Sequence, residues 1–192
     1  MNFKSVLYLV LALVFSTTLS AQKYATSSMA EVKTSWKDGN FSSNTPLSEN
    51  IATASNLSDY KQLFQNNPQA KRLENEEMVT VFIVSNEGFS DLSEKQKEAF
   101  FNDKNKVAKM VAFLSVPGRI DFHGLKVAAE RNNGSARLKT LEGTDIIVST
   151  QGDKVFLEDP NGKKSEITAS DFYHKNGLFH IINRRLTPEV EK

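Results

Sequence analysis

A short apolar run near the middle of the chain predicts a buried central strand. Its apolar positions are Val79, Val81, Ile83 and Val84. The run is too short for a helix, and it is rich in the β-branched residues that pack well on a pleated sheet. Ser85 and Asn86 follow with side-chain oxygens that can bind the backbone, so we expect the chain to leave the sheet there in a helical turn. Phe89 is then expected to return to the core.

Apolar residues at helical spacing predict a helix on each side of this strand. The helix before the strand has the apolar positions Leu57, Tyr60, Leu63 and Phe64. Pro68 is expected to stop it. After the strand, Ser93 and Gln96 have the spacing of a capping box, which begins a second helix. Its apolar positions are Val107, Met110, Val111 and Leu114. Pro117-Gly118 is expected to end this helix.

Beyond Ile120 the apolar period changes from helical to alternating, which predicts strands. The predicted strands comprise residues 145–150, 154–158, 165–168 and 178–186. Turn-forming residues at Gly152, Asn161-Gly162 and Asn176-Gly177 separate them, so we expect an antiparallel meander. Because helices come mainly first and strands mainly last, the chain is predicted to have an α+β fold and not alternating βαβ units.

The first 21 residues have the organisation of a secretory signal peptide. Lys4 gives a positive start, an apolar run extends from Val6 to Phe15, and small residues lead to Ala21. This run is well under the ~20 residues that a membrane-spanning helix needs. We therefore expect cleavage after Ser20 or Ala21, with an uncleaved membrane anchor as the alternative.

The composition of the next segment predicts the domain organisation. Residues 22–45 are rich in Ser, Thr, Asn and Lys, which is typical of a flexible leader. The alternative is that Trp36 and Phe41 dock on the domain as a cap. The folded domain is expected over residues 46–188, followed by a tail at 189–192. After signal cleavage we expect neither a transmembrane segment nor a long C-terminal sorting segment.

Size, charge and cysteine content narrow the function classes. The 192 residues, 39% of them hydrophobic, can bury one core, so one domain is expected. The 24 basic and 23 acidic residues give a net charge of +1, which offers no general attraction to nucleic acid or anionic membranes. Because the chain has no cysteine, disulfides, thiolate zinc sites, cysteine nucleophiles and lipoprotein anchors are excluded. Export of such a chain suits a bacterial envelope.

The residues with catalytic or metal-binding chemistry do not form a known pattern. The three histidines, His123, His174 and His180, lack His-Glu-x-x-His spacing, and no Gly-x-Ser-x-Gly turn occurs. A histidine at position 180, inside a predicted strand, is typically satisfied by a local partner. We therefore expect no catalytic residue, no metal and no cofactor. A set of basic residues is typical of a solvated face, with a patch for acidic polymers as the alternative. These residues are Arg131, Arg137, Lys139, Arg184 and Arg185.

Four ordered blocks resemble the fasciclin domain family. Thr80-Val81-Phe82 with Ser85-Asn86-Glu87-Gly88-Phe89 resembles the first family signature. Val116-Pro117-Gly118-Arg119 resembles the segment after the family's middle helix. Thr140-Leu141-Glu142-Gly143 and Asn176-Gly177-Leu178-Phe179-His180-Ile181-Ile182-Asn183 resemble its later strands and its second signature. The resemblance extends from about Pro46 to Pro188.

The resemblance implies a wedge of two β-sheets with helices packed at one end, in which the two signatures pair side by side. It also implies structural roles for nine motif positions. These are Thr80, Phe82, Asn86, Phe89, Pro117, Gly118, Asn176, Gly177 and His180. The function that the resemblance implies is a secreted or surface module without catalysis. Its partner would be a cell-surface protein or a polysaccharide.

The chain departs from the family pattern at several positions. Val84 stands where proline is frequent, Gly88 where alanine is usual, and Asn183 where aspartate is common. Phe113-Leu114 replaces a Tyr-His pair in a region that is implicated in adhesion by some relatives. The loss of two hydrogen-bonding side chains weakens the transfer of that activity to this chain.

Two further function classes stay open at the level of the sequence. One is a periplasmic carrier that holds a small apolar or glycan ligand in a cleft between helices and sheet. The other is a hydrolase, which the absence of a recognisable nucleophile pattern disfavours. The leading hypothesis is an exported adhesion or interaction module.

Overall fold

A long, curved sheet organises the protein. The computed structural model describes residues 30–65, 67–76 and 78–188, and the predicted signal peptide and C-terminal tail lie outside these residues. The strands are β1 Lys33–Trp36, β2 Gly39–Ser42, β3 Val79–Val84, β4 Ser115–Pro117, β5 Ser135–Lys139, β6 Asp145–Gln151, β7 Lys154–Glu158, β8 Lys164–His174 and β9 Gly177–Ile182. The α-helices are α1 Leu47–Ala52, α2 Ser58–Gln65, α3 Pro68–Asn75, α4 Glu94–Asn102, α5 Lys104–Phe113 and α6 Phe122–Arg131. Two 3₁₀ turns span Ser55–Leu57 and Asn86–Phe89.

The two predicted signatures form the centre of the main sheet. Its strand order is β4-β3-β9-β8-β7-β6-β5, and β3 pairs with β9 in parallel, with Phe82 opposite His180. Every residue of β3 and of β9 is buried. Because both faces of these strands are covered, the sequence there is nearly continuously apolar instead of alternating. The predicted side-by-side pairing of the signatures is confirmed.

The outer strands bend the sheet until its two edges meet. Strands β6, β7 and β8 form the predicted antiparallel meander, and β5, which was not among the predicted strands, extends it by pairing antiparallel with β6. Helix α6 packs on β5, β6 and β7. The Leu141 N–H, just after β5, donates to the Ser115 carbonyl of β4 at 2.8 Å. Strands β1 and β2 form a separate two-stranded sheet that contacts β8. The predicted α+β wedge is confirmed.

The hairpin of β1 and β2 differs from the expected flexible leader. Phe41 is only 2% exposed, and its ring lies edge-on to Phe172 and Phe179 at centroid distances of 5.0 Å. The Ser42 N–H donates to the Asn50 side-chain oxygen at 2.8 Å, which ties the hairpin to α1. The polar composition of this segment predicts a flexible leader because one face of β2 points to solvent, although Gly39 and Phe41 on its other face are buried. In the structure Phe41 docks in the core and the partly buried Trp36 packs against it, which is the arrangement of the alternative. The other domain limits stay predictions.

Two helix predictions need correction, because in each case a single polar residue caps an additional helix. Pro68 does not simply stop a helix: it is the first residue of α3, and the preceding Asn67 caps that helix. The capping box at Ser93 and Gln96 is confirmed, but the helix it begins ends at Asn102. Asp103 then caps α5 by accepting the Lys106 N–H at 3.0 Å. The chain therefore makes two helices where one was expected.

The predicted secondary structure after Ile120 is also only partly correct. Residues 122–131 are helical and not alternating, and Asp121 caps α6 by accepting the Gly124 N–H at 2.6 Å. Only Leu125 and Ala129 of α6 are fully buried, so its apolar stripe is too narrow to dominate the pattern. Strand β8 extends well beyond the predicted residues 165–168, and β9 ends at Ile182 instead of Leu186.

Truncation of Phe41 tests whether the hairpin belongs to the core. We expect Phe41→Ala to lower the free energy of unfolding by about 3–5 kcal/mol, because it removes a buried aromatic ring and leaves a cavity. Urea denaturation of the purified protein measures the change. Asn40→Ala, on the exposed face of the same strand, should change it by less than about 0.5 kcal/mol. Equal stability of the two variants would show that the hairpin does not contribute to the core.

Candidate functional site

The predicted motif residues lie in three places, and the largest group surrounds the β3–β9 pair. We call this group the central junction: Thr80, Phe82, Pro117, Gly118 and His180, together with Ile120 and Asp171, which they contact. Thr80 and His180 lie on neighbouring strands and are both completely buried. Buried polar side chains need hydrogen-bond partners. The chain between Gly118 and Phe122 supplies most of these partners.

Thr80 holds the start of this segment. Its hydroxyl donates to the Gly118 carbonyl at 2.8 Å, and its oxygen accepts the Ile120 N–H at 2.9 Å. Gly118 has a φ of +92°, which favours glycine, and Pro117 pairs with Val79 at the end of β4. A single hydroxyl therefore satisfies two backbone groups and directs the chain from β4 towards α6.

His180 holds the next part of the segment. Its Nε2–H donates to the Ile120 carbonyl at 2.9 Å, and its Nδ1 accepts the Asp171 N–H at 3.2 Å. These contacts assign the neutral tautomer with the proton on Nε2. Burial lowers the pKa of His180, which keeps the ring neutral. The Phe82 ring stacks on the imidazole at a centroid distance of 5.7 Å.

Asp171 completes the central junction, and no sequence pattern predicts its role. Its φ is +63°, unusual for a residue with a side chain, and it lies in an irregular part of the β8–β9 pairing. One carboxylate oxygen accepts the Phe122 N–H at 2.8 Å and lies 3.9 Å from His180 Nδ1. Aspartate tolerates the left-handed conformation better than most residues, but neither its spacing nor its neighbours mark it in the sequence.

The second group connects the end of the first signature to the helices. The Asn86 side-chain oxygen accepts the Asp59 N–H at 3.1 Å, and its amide donates to the Ser55 carbonyl and the Ser58 hydroxyl. Asn86 thus fixes the start of α2. Phe89 is fully buried and makes an edge contact with Phe101 at 5.8 Å.

The third group lies at the start of β9. The Asn176 amide donates to the carbonyls of Leu73 and Glu76, both at 2.7 Å, and so binds the end of α3. A Cβ on Gly177 would lie 1.8 Å from the Val79 carbonyl oxygen, so only glycine allows β3 and β9 to approach here. All three groups make internal contacts. These contacts support the interpretation of the nine positions as structural, which stays a prediction.

His174 precedes the Asn176-Gly177 turn and is not one of the nine predicted motif positions. It is 2% exposed, and neither ring nitrogen has a hydrogen-bond partner among the described residues. Burial lowers the pKa of His174 to about 4. The ring is therefore neutral in the folded protein at ordinary pH.

In the part of the chain that the structure covers, His180 is bound within the fold. Both ring nitrogens of His180 bind backbone atoms, so it is not free to activate a nucleophile. Among residues 30–65, 67–76 and 78–188, no group of three or more His, Asp or Glu side chains could hold a metal ion. No helix within these ranges is long and apolar enough to cross a membrane.

The surface carries two clefts near these groups. The first, which we call the helix cleft, has a volume of about 320 Å³ and lies among α2, α3, α4 and α5. It is lined by Gln62, Leu63, Asn67, Phe101, Asn102, Lys104 and Val107. The second has a volume of about 290 Å³ and is lined by residues that follow β3 and β9, including Glu87, Asp91 and Arg184.

Two of the five basic residues that were considered as a patch for acidic polymers form ion pairs with acidic side chains. Arg185 pairs with Asp91 through both terminal nitrogens, at 3.2 and 3.4 Å, and Lys139 pairs with Asp145 at 3.2 Å. These pairs neutralise two of the five charges, which favours a solvated face of mixed charge.

Comparison with known proteins defines the class. A solved structure of a FAS1 domain pair from the insect cell adhesion molecule fasciclin I matches this fold with a TM-score of 0.62. The match has 18% sequence identity and covers 74% of this chain and 50% of that chain. This likeness shows an α+β module with the FAS1 fold.

Sequence comparison identifies the family. The Fasciclin domain model matches residues 55–188. Human periostin is 25% identical over 113 residues, which is 57% of this chain and 12% of periostin. The chain belongs to the fasciclin domain family, and it spans half or less of these two relatives.

Removal of the Thr80 hydroxyl tests the central junction. We expect Thr80→Val to lower the free energy of unfolding by about 1–3 kcal/mol, because the Ile120 N–H and the Gly118 carbonyl lose a buried partner. Thr34→Val, at a half-buried strand position without such bonds, is the matched control and should change stability by less than about 0.5 kcal/mol. Urea denaturation of both variants gives the comparison. A Thr80→Val protein as stable as the control would refute a structural role for this hydroxyl.

The buried His174 predicts acid sensitivity. Because its pKa is lower in the folded state than its ordinary 6.5, the unfolded chain binds the proton more tightly. The stability from the neutral ring is complete above about pH 6.5 and is lost as the pH falls towards 4; the lowered pKa of His180 acts in the same direction. We expect His174→Leu to reduce the fall in unfolding free energy between pH 7 and 4 by up to about 3 kcal/mol.

Chemical denaturation at a series of pH values measures this effect. His123→Gln serves as the control because it removes an exposed histidine instead of a buried one. If His174→Leu showed the same pH dependence as the unaltered protein, the buried ring would not be a source of acid sensitivity.

Proposed function

We propose that this protein is an exported, non-catalytic interaction module that binds a protein, glycan or cell surface. The observation that carries the proposal is the use of the signature residues. Four of these residues form hydrogen bonds with other parts of the same chain through their polar side-chain groups. They are Thr80, Asn86, Asn176 and His180. A domain whose distinctive polar residues maintain its own fold is suited to presenting a surface, and less suited to chemical turnover.

Family membership supports the same function. The FAS1 domain pair of similar fold belongs to an insect cell adhesion molecule. The predicted signal peptide supports export, which an adhesion module requires. The chain matches only a part of its relatives, so these similarities do not name its partner. The proposed partner is a cell-surface protein or a polysaccharide.

The recognition surface lies outside the position of the family's Tyr-His pair. Phe113 and Leu114, which stand at that position, are both completely buried. They support the core at the end of α5 and present nothing to a partner. We therefore assign recognition to exposed residues elsewhere on the domain.

The helix cleft favours a second candidate, a periplasmic carrier of a small apolar or glycan ligand. A carrier needs a concave site, and the helix cleft is one. The expected place for such a site, between helices and sheet, is occupied by large side chains, including the fully buried Phe82, Phe113 and Phe179. This filling makes the carrier the weaker candidate.

Protease treatment of intact cells that produce the protein separates the two functions. We expect the interaction module to be cleaved on intact cells or found in the medium, because it must meet its partner outside the envelope. A protein known to lie inside the cell is the control for leakage, and opened cells show that the protease cuts the chain at all. Protection until the envelope is opened would reject surface interaction and favour the carrier.

A further inference from the structure

The two edges of the β1–β2 hairpin differ in their hydrogen bonding. Along β2, the outward backbone groups of Asn40 and Ser42 bind side chains in and just after α1. The Asn40 N–H donates to the Thr53 hydroxyl oxygen at 3.1 Å, and the Asn40 carbonyl lies 3.0 Å from the same hydroxyl. The Ser42 N–H donates to Asn50 Oδ1 at 2.8 Å, and the Ser42 carbonyl accepts from Asn50 Nδ2 at 3.0 Å. The edge of β2 is therefore closed.

The outer edge of β1 has no such partners among the described residues. The Ser43 N–H donates to the Val32 carbonyl at 3.0 Å, so these two residues form a hydrogen-bonded pair at the end of the ladder. Because such pairs alternate along an antiparallel ladder, the N–H and C=O groups of Lys33 and Ser35 point away from β2. The hydrogen bonds of the described residues leave these four groups unpaired. Both residues are exposed, so β1 has a free edge that can pair with another strand.

The side chains along this edge alternate between two faces. Lys33 and Ser35 are exposed, whereas Thr34 and Trp36 are half-buried and Trp36 packs against the core. Val32, directly before β1, lies on the same face as Thr34 and Trp36 but is 39% exposed. An apolar side chain in this position is suited to packing against a second strand placed along the edge.

The charges along this edge select one way of pairing it with an identical strand. In an antiparallel pair with a two-fold axis, the outward residues of one copy lie opposite the outward residues of the other. Alignment of Lys33 with itself, or with Lys37 in the turn after β1, places like charges opposite each other, which is unfavourable. Alignment of Lys33 with Ser35 avoids both contacts. This alignment also places Glu31 opposite Lys37, Val32 opposite Trp36, and Thr34 opposite Thr34.

We propose that the outer edge of β1 is a self-association site, at which a second copy of this chain pairs antiparallel with β1 in the alignment of Lys33 with Ser35. The free N–H and C=O groups of these two residues then form four hydrogen bonds between the copies. Val32 of each copy packs beside Trp36 of the other. Glu31 already lies 3.3 Å from Lys33, which partly balances the lysine charge at this edge. Such pairing does not depend on where the protein lies in the cell or on what else it binds.

Sedimentation velocity of the purified protein over a range of concentrations tests the site. Because the paired edge is only a few residues long, we expect a reversible dimer with a dissociation constant of about 10 µM to 1 mM. Ser35→Pro removes an N–H that faces the second copy and keeps the hairpin's own bonds. It should weaken dimerisation at least about tenfold, because two of the four hydrogen bonds are lost.

Ser35→Ala is the matched control, because it keeps both backbone groups and should dimerise like the unaltered protein. Similar urea denaturation of the two variants at low protein concentration shows that the hairpin stays folded in both. A monomer at all concentrations up to about 1 mM, or equal dimerisation of Ser35→Pro and Ser35→Ala, would overturn the site.

Exchange of charges tests the alignment without a change to the backbone. Glu31→Lys and Lys37→Glu each place like charges opposite each other in the dimer, so each variant alone should dimerise at least about fivefold more weakly. An equimolar mixture of the two variants restores both pairs of opposite charge and should form a mixed dimer about as tightly as the unaltered protein. Sedimentation with one variant fluorescently labelled measures this recovery. A mixture that dimerises no better than either variant alone would reject the alignment.

Discussion

The parallel pairing of β3 with β9 is the constraint on which the rest of the structure depends. The two strands come from distant parts of the chain, and both are buried on both faces. This pairing buries Thr80 and His180, whose polar atoms would each be costly without a partner. The segment between Gly118 and Phe122 supplies backbone partners, so its path follows from the burial of two side chains. Close approach at Gly177 makes the arrangement possible.

Local signals in the sequence predict those parts of the fold that depend on neighbours in the chain. The apolar run of β3, the capping box at Ser93 and the turns of the meander each arise from short-range chemistry. The hairpin of β1 and β2 and the helix α6 depend on contacts with distant elements, and their apolar patterns are sparse. Phe41 illustrates the difference, because the rings that it packs against, Phe172 and Phe179, lie far along the chain.

The candidate sites were predictable to different degrees for the same reason. Resemblance to the family identified Thr80 and His180, but not Asp171, whose contribution comes from a left-handed backbone and a bond to Phe122. The helix cleft combines residues from four helices, and the sequence analysis does not predict one of them, α3, because it expects Pro68 to end a helix. An asparagine before a proline is also a strong helix start, and that interpretation would have placed Asn67 at a cap.

The internal use of the signature residues has a consequence for how such a domain acquires specificity. Changes at Thr80, Asn86 or His180 alter hydrogen bonds inside the fold, so these positions are poorly placed to tune recognition. Exposed residues such as Gln62 and Lys104 make no bonds that hold the fold together, and they can change at little cost in stability. Phe113 and Leu114 show the opposite case, because both are completely buried and belong to the core. A shared scaffold can thus serve different partners, because the residues that build it and the residues that meet a partner are separate.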